Sequence, residues 1–210
     1  IERWLKELED GKESVVFLCW TNNVRRMANS LARKRLYGED VPPFVSGDKL
    51  LALSSYQDKQ KVLIQNNEEV TVKKAYYIMN HVPYTGSPCK YNCWMLILDS
   101  GLIVHVLEED EREKFNKQLK ELSKDIKQSL ERAESTYMAA KGNYQEKVKK
   151  RDRDYAKSRW KTEYFALKNA FADLDYRYAL TIHKSQGSTY DSVFIHDDYR
   201  ESNERKELMY

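Results

Sequence analysis

Tyr178-Ala179-Leu180-Thr181-Ile182-His183-Lys184-Ser185-Gln186-Gly187-Ser188-Thr189-Tyr190-Asp191 decides how the rest of this chain is read. The stretch opens with apolar residues suited to a parallel strand. It then places a hydroxyl, an imidazole, an ammonium, an amide and a glycine at the strand's carboxyl end, where ligands of open α/β sheets bind. Thr181 and His183 can donate hydrogen bonds to phosphate oxygens and Lys184 can add charge, contacts that position a nucleic-acid backbone without reading its sequence. Gly187 lets the main chain come close to a ligand. A polar strand-to-strand turn explains the same residues, and chemistry alone leaves both readings open.

Working outward, Tyr176 to Thr181 and Asp191 to Ile195 read as strands on either side of this turn. Far upstream, Ser14 to Cys19 is a continuous apolar run of the kind covered on both faces in a parallel sheet. Thr21-Asn22-Asn23 supplies helix-capping chemistry, and Val24, Met27, Leu31 and Leu36 form an apolar stripe that ends at Tyr37-Gly38. Strand, polar turn and helix in that order make half of a βαβ unit.

Between these two α/β segments the pattern changes twice. Leu50 to Leu53, Val62 to Ile64, Val70 to Val72, Tyr76 to Met79, Trp94 to Leu98 and Leu102 to Leu107 are short β-rich runs separated by turns such as Gln65-Asn66-Asn67, which predicts a small barrel. From Glu108 onward Phe115, Leu119, Leu122, Ile126, Ala133 and Tyr137 recur at three- and four-residue steps. Gly142-Asn143 interrupts them, and Tyr144, Val148, Tyr155, Trp160, Tyr164, Leu167, Phe171 and Leu174 follow. Two such stripes predict an antiparallel helical hairpin with arms of about 30 residues, or roughly 45 Å. The predicted fold class is α/β. A discontinuous lobe spans 1–47 and 175–210, interrupted by a small β-barrel at 48–109 and the hairpin at 110–174.

With 41% hydrophobic and 12% aromatic residues, the 210-residue chain is too apolar to be disordered despite 33% charged residues. Its net charge of +3 gives no general field that attracts nucleic acid, so any such binding must be local. Cys19, Cys89 and Cys93 are an odd set without repeated spacing, which fits a reducing, cytoplasmic setting. The intervals among Cys89, Cys93, His81 and His105 match no common zinc spacing, so no metal site is expected. Trp94 and the tyrosines at 76, 77, 84 and 91 suit either base stacking or a barrel core. No apolar run approaches the roughly 20 residues that span a bilayer. A start at Ile1 and the apolar run Leu208-Met209-Tyr210 predict a piece of a longer protein.

The motif from Tyr178 closely resembles motif V of superfamily 1B DNA helicases, the RecD-like and phage Dda-like branch. Phe17-Leu18-Cys19-Trp20-Thr21-Asn22-Asn23-Val24, with Asn29 and Arg33 on the following helix, resembles motif IV of the same branch. Pro43-Phe44-Val45-Ser46-Gly47-Asp48-Lys49-Leu50 is similar to the Gly-Asp entry to the family's inserted SH3-like barrel, and the helical hairpin resembles in kind the tower of Dda-like members. The resemblance implies a RecA-like, P-loop NTPase-type second motor lobe that closes on ATP and Mg held mainly by a separate N-terminal ATPase lobe. Each cycle would ratchet single-stranded DNA, with 5′ to 3′ movement typical of the branch. It implies nucleic-acid contacts from Thr181, His183, Lys184, Thr21 and Asn22, and places Gln186, Gly187, Ser188 and Thr189 toward the nucleotide cleft.

No pair of glycines has the Gly-x-x-x-x-Gly-Lys spacing whose amides cradle phosphates, and no motif VI arginine segment follows motif V before Tyr210. The expectation is that no catalytic residue lies within this chain and that by itself it neither binds nor hydrolyses ATP. A rival reading makes the α/β part a scaffold, with barrel and hairpin docking a replication or recombination protein.

Overall fold

A computed structural model describes residues 1–12, 14–58 and 61–197. The terminal run Leu208-Met209-Tyr210 lies outside the described residues.

The chain opens with helix α1 (Glu2–Glu9), strand β1 (Val15–Cys19) and helix α2 (Asn22–Tyr37). β1 is apolar at every position because both its faces are covered. Val15, Phe17 and Cys19 pack with Trp4, Leu5, Ala28 and Ala32 of the two helices, while Val16 and Leu18 pack with Leu51 and Leu180. The two-residue period of a strand produces that division. α1 is too short for periodicity to mark it, yet it buries Trp4 and Leu5. α2 starts where Thr21 accepts a hydrogen bond from the Val24 amide at 3.4 Å.

Six strands follow: β2 (Lys49–Ala52), β3 (Tyr56–Asp58), β4 (Lys61–Ile64), β5 (Glu69–His81), β6 (Tyr91–Leu98) and β7 (Ile103–Leu107). Next come helices α3 (Arg112–Ala140) and α4 (Glu146–Arg159), a π-helical turn at Trp160–Tyr164, and α5 (Phe165–Lys168). The chain then forms β8 (Leu174–Tyr176), β9 (Ala179–Thr181), a single-turn helix α6 (Ile182–Ser185) and β10 (Ser192–Ile195).

Three sheets result. β10, β1 and β9 form a parallel sheet in that order; β7, β6, β5, β2 and β8 form an antiparallel one; β3 and β4 form a two-stranded ribbon. The strands of the middle segment therefore do not pair into a closed barrel among the described residues: β7 and β8 are the edges of the five-stranded sheet, and the Ala172 amide just before β8 donates to His105 O of β7 at 2.7 Å. The expected runs Val70 to Val72 and Tyr76 to Met79 are one strand, β5, because Lys73 and Lys74 between them do not break extended backbone. Its register shifts twice, between Val72 and Lys74 and between Ile78 and His81, and such irregularities let a long strand bend. The helical stripe expected to run to Leu174 ends at Lys168, and Ala172 and Leu174 turn into the core of the five-stranded sheet.

The expected strand Tyr176 to Thr181 is also divided. β8 pairs antiparallel with β2, and β9 pairs parallel with β1, so this short stretch passes from one sheet to the other. The hinge between them is held by polar contacts. Arg177 donates its amide to Lys49 O at 3.1 Å and its side chain to Glu69 at 2.5 Å, and Tyr178 turns into a buried network centred on Asp48. There Arg33 grips the carboxylate with Nε and Nη2 at 3.1 and 2.9 Å, Val45 donates its amide at 2.8 Å, and the Tyr178 hydroxyl donates at 3.2 Å. Tyr37 lies 3.2 Å from the Tyr178 hydroxyl, and the Arg33 guanidinium sits 4.4 Å from the centre of the Tyr176 ring.

Burial raises the Tyr176 hydroxyl to about 12, with Arg33 pulling down and Asp48 pushing up. It stays protonated and donates to Pro43 O. Gly47, at φ +91°, makes the turn that delivers Asp48 into the network.

α3 and α4 run antiparallel as an arm. The first turns of α3 bring Phe115, Leu119 and Leu122 onto Tyr91, Leu167 and Phe171. Farther out, Arg159 of α4 pairs with Asp125 at 2.8 Å and with Glu163, while Arg153 covers the Tyr137 ring at 4.2 Å.

Where the arm's base meets the sheet, the His81 and His105 rings stack at 4.2 Å beside Phe171. Burial lowers both imidazoles below their ordinary value, His105 further through the charge of His81. The unfolded chain therefore binds more protons than the folded one once pH falls below about 6.5, and stability declines as pH drops through the lowered folded values. Urea midpoints measured from pH 7 to pH 5 should fall more shallowly in a His105→Gln variant. Parallel profiles would remove the pair from the account.

Candidate nucleic-acid interface

The parallel sheet brings the two polar segments together. Cys19, the last residue of β1, is in register with Thr181, the last of β9, so Trp20-Thr21-Asn22 and Ile182-His183-Lys184 leave the same carboxyl edge side by side. The contact between them is aromatic: the Trp20 and His183 rings lie 4.8 Å apart at 45°. His183 is exposed, so its imidazole is both steadied by the indole and open to a ligand.

The remaining predicted residues are used unequally. Thr181 is 8% exposed and sits at the start of α6 without capping that helix through its side chain. Thr21 spends its hydroxyl oxygen on the α2 cap, and the Asn22 carboxamide oxygen accepts from Arg25 Nε at 3.2 Å. Lys184 reaches away from the edge, donating to Leu53 O at 3.2 Å and toward the side chains of Asn66 and Asn67 at 3.4 and 3.2 Å. It thus ties the α6 turn to the turn before β5, and its charge is partly committed there. Gln186, Gly187, Ser188 and Thr189 are exposed. Gly187 has φ +86° with open space where a side chain would begin, so the main chain there is approachable.

Asn29 has a structural task that its spacing did not disclose. β9 is the free edge of the parallel sheet, and the outward amide and carbonyl of Ala179 would lack partners. The Asn29 carboxamide accepts from Ala179 N at 2.7 Å and donates to Ala179 O at 3.0 Å, substituting for a missing strand. Trp20 is the residue whose role was least legible, since nothing in the sequence pairs an indole with an imidazole 163 positions later. A cleft of about 510 Å³, lined by Arg26, Phe44, Trp94, Glu109, Arg112 and Asp175 among others, lies between α2 and the five-stranded sheet, away from this edge.

Of the aromatics considered for stacking, Tyr91 is fully buried, whereas Tyr76 and Tyr77 are nearly half exposed. Among the described residues no group of three His, Cys, Asp or Glu side chains could hold a metal ion, and Cys19, Cys89 and Cys93 are all free thiols. No helix among them is long and apolar enough to cross a membrane.

Residues 176–210, which contain β9, the α6 turn and β10, match the family of the UvrD-like helicase C-terminal domain. That match supports a helicase fragment. No curated protein matches the chain. Among solved structures, the Pif1 helicase from Candida albicans is similar at 12% identity and a TM-score of 0.34. The aligned region covers 87% of this chain and 38% of that one.

Proposed function

We propose that this chain is a large part of the second motor lobe of an ATP-dependent DNA helicase of the RecD-like and Dda-like branch, and that the edge formed by Trp20, Thr181 and His183 holds the backbone of single-stranded DNA. The observation that carries the proposal is the exposed His183, braced by Trp20 at the carboxyl edge of a parallel sheet, inside the segment that matches a helicase domain. His183 makes the outward contact. Thr181, mostly buried beneath it, sets the direction in which the α6 turn leaves the strand.

In the same reading, segments 1–47 and 175–210 are the RecA-like lobe, 48–109 is an SH3-like insertion in open form, and 110–174 is a tower. ATP with Mg supplies the closing force in the intact protein. The exposed turn Gln186-Gly187-Ser188-Thr189 fits one side of a nucleotide cleft, but it offers no phosphate cradle, so the N-terminal ATPase lobe would hold the nucleotide. Movement along DNA would be 5′ to 3′.

The test is retention of a labelled single-stranded oligonucleotide by the purified chain across a salt series. A few phosphate contacts release few counterions, so binding should be weak, with a shallow salt dependence. A Thr181→Ala, His183→Ala double variant should bind more weakly at each salt concentration, because two hydrogen-bonding groups that position the backbone are gone. Equal binding by the two proteins would remove these residues from the interface.

A further inference from the structure

We infer that the outer face of α4 is a second nucleic-acid surface, one that takes the phosphate backbone of duplex DNA. Residues 141–161 hold nine Lys and Arg against three Asp and Glu, so this one stretch carries more positive charge than the whole chain's net of +3. The excess is concentrated on one side of the helix. Ala156 is buried in the seam. Lys147, Lys150 and Arg151 lie on the opposite face, with Lys157 on its flank, and all four are exposed.

Among the described residues none of these four has a carboxylate within ion-pair distance. The acidic neighbours Asp152, Asp154 and Glu163 are instead engaged by Lys149, Arg153 and Arg159. The remaining acid of the stretch, Glu146, accepts from the Gly142 amide at 2.8 Å, so the stripe is left without an ion-pair partner among the described residues.

Shape favours a duplex over a single strand. From Lys147 to Lys157 the stripe runs about 15 Å along α4. α3 supports that helix from behind through the Arg159–Asp125 pair and the contact of Arg153 with Tyr137. A rigid row of cations suits the fixed charge lattice of a duplex, which presents one charge per about 1.7 Å of axis. Proteins that hold single strands add rings on which bases stack. Here rings stand at the margin of the stripe: exposed Tyr155 follows Arg151 by four residues, on the side away from Lys147, Lys150 and Lys157, and Tyr144 precedes the helix. Nothing that supports this surface depends on the His183 edge.

Fluorescence anisotropy with the whole chain tests the inference, using a labelled 20-base-pair duplex and a single strand of equal length at several salt concentrations. A Lys147→Glu, Lys150→Glu, Arg151→Glu variant should lose more than tenfold in duplex affinity at low salt. The neutral version, with Gln at the same three positions, should lower the salt slope by about two to three. Single-strand binding should persist in both variants, since it reads the His183 edge. A control variant with Lys117→Glu, Lys120→Glu and Lys127→Glu, carrying the same change in net charge on α3, should keep duplex binding.

Three outcomes would each overturn the assignment. One is equal loss in the control, which would make net charge the cause. Another is loss of single-strand binding alone. The third is displacement of the duplex by polyglutamate at matched charge, which would make the face a site for acidic protein.

Discussion

Asp48→Ala is expected to destabilise the fold by about 3–5 kcal/mol, the cost of removing one partner from a buried ion pair. The carboxylate is fully buried and collects four hydrogen bonds, from Arg33 Nε and Nη2, the Val45 amide and the Tyr178 hydroxyl. Without it the Arg33 guanidinium, 6% exposed, keeps Pro42 O at 2.7 Å and the faces of Tyr176 and Tyr37 but has no counter-charge in this network. Burial works against the charge on Arg33, and its hydrogen bonds to Asp48, together with the electrostatic pull of Tyr176, Asp48 and Tyr178, more than offset it, holding its pKa above the ordinary value.

The loss should appear as a lower urea midpoint with an unchanged slope. An Arg33→Met, Asp48→Leu double variant should lose less than the single one, because it removes both charges from the interior together. A single variant within about 1 kcal/mol of wild type would show that the network contributes little. The consequence reaches beyond stability, since Asp48 joins α2, the entry to β2 and the β8–β9 hinge, and so fixes how the parallel sheet sits on the five-stranded one.

Asn29→Leu should cost about 2–4 kcal/mol for a different reason. Leucine keeps the volume but cannot hydrogen-bond, so the amide and carbonyl of Ala179 would be stranded at a covered strand edge, each at about 1–3 kcal/mol. Because Ala179 lies two residues before Thr181, a loosened β9 should also displace the His183 edge. Hydrogen exchange at the Ala179 amide should accelerate sharply, and single-stranded DNA retention should fall in parallel. Unchanged protection at that amide would refute the clamp. Loss of protection with full DNA retention would instead separate the edge strand from the interface.

Much of the architecture was written in local patterns. The uninterrupted apolar run of β1 announced a strand covered on both sides, the Thr21 cap announced α2, and the three- and four-residue steps from Phe115 announced α3. Signals of this kind depend only on neighbours along the chain. Divisions that depend on distant partners were invisible. Tyr176 to Thr181 looks like one strand because its apolar content is continuous, and only pairing with β2 on one half and β1 on the other cuts it in two. Lys184 looked like a free cation until the turn at Asn66 and Asn67 came within reach.

Local signals along the chain were enough to set β1, α2, α3 and the polar composition of the turn after β9, because periodicity, capping and turn chemistry act over a few residues. Tertiary structure alone decided which of those polar groups face outward. Burial, register and long-range hydrogen bonds, which join residues more than a hundred positions apart, left His183 exposed against Trp20, turned Lys184 inward and set Asn29 to close the open side of β9.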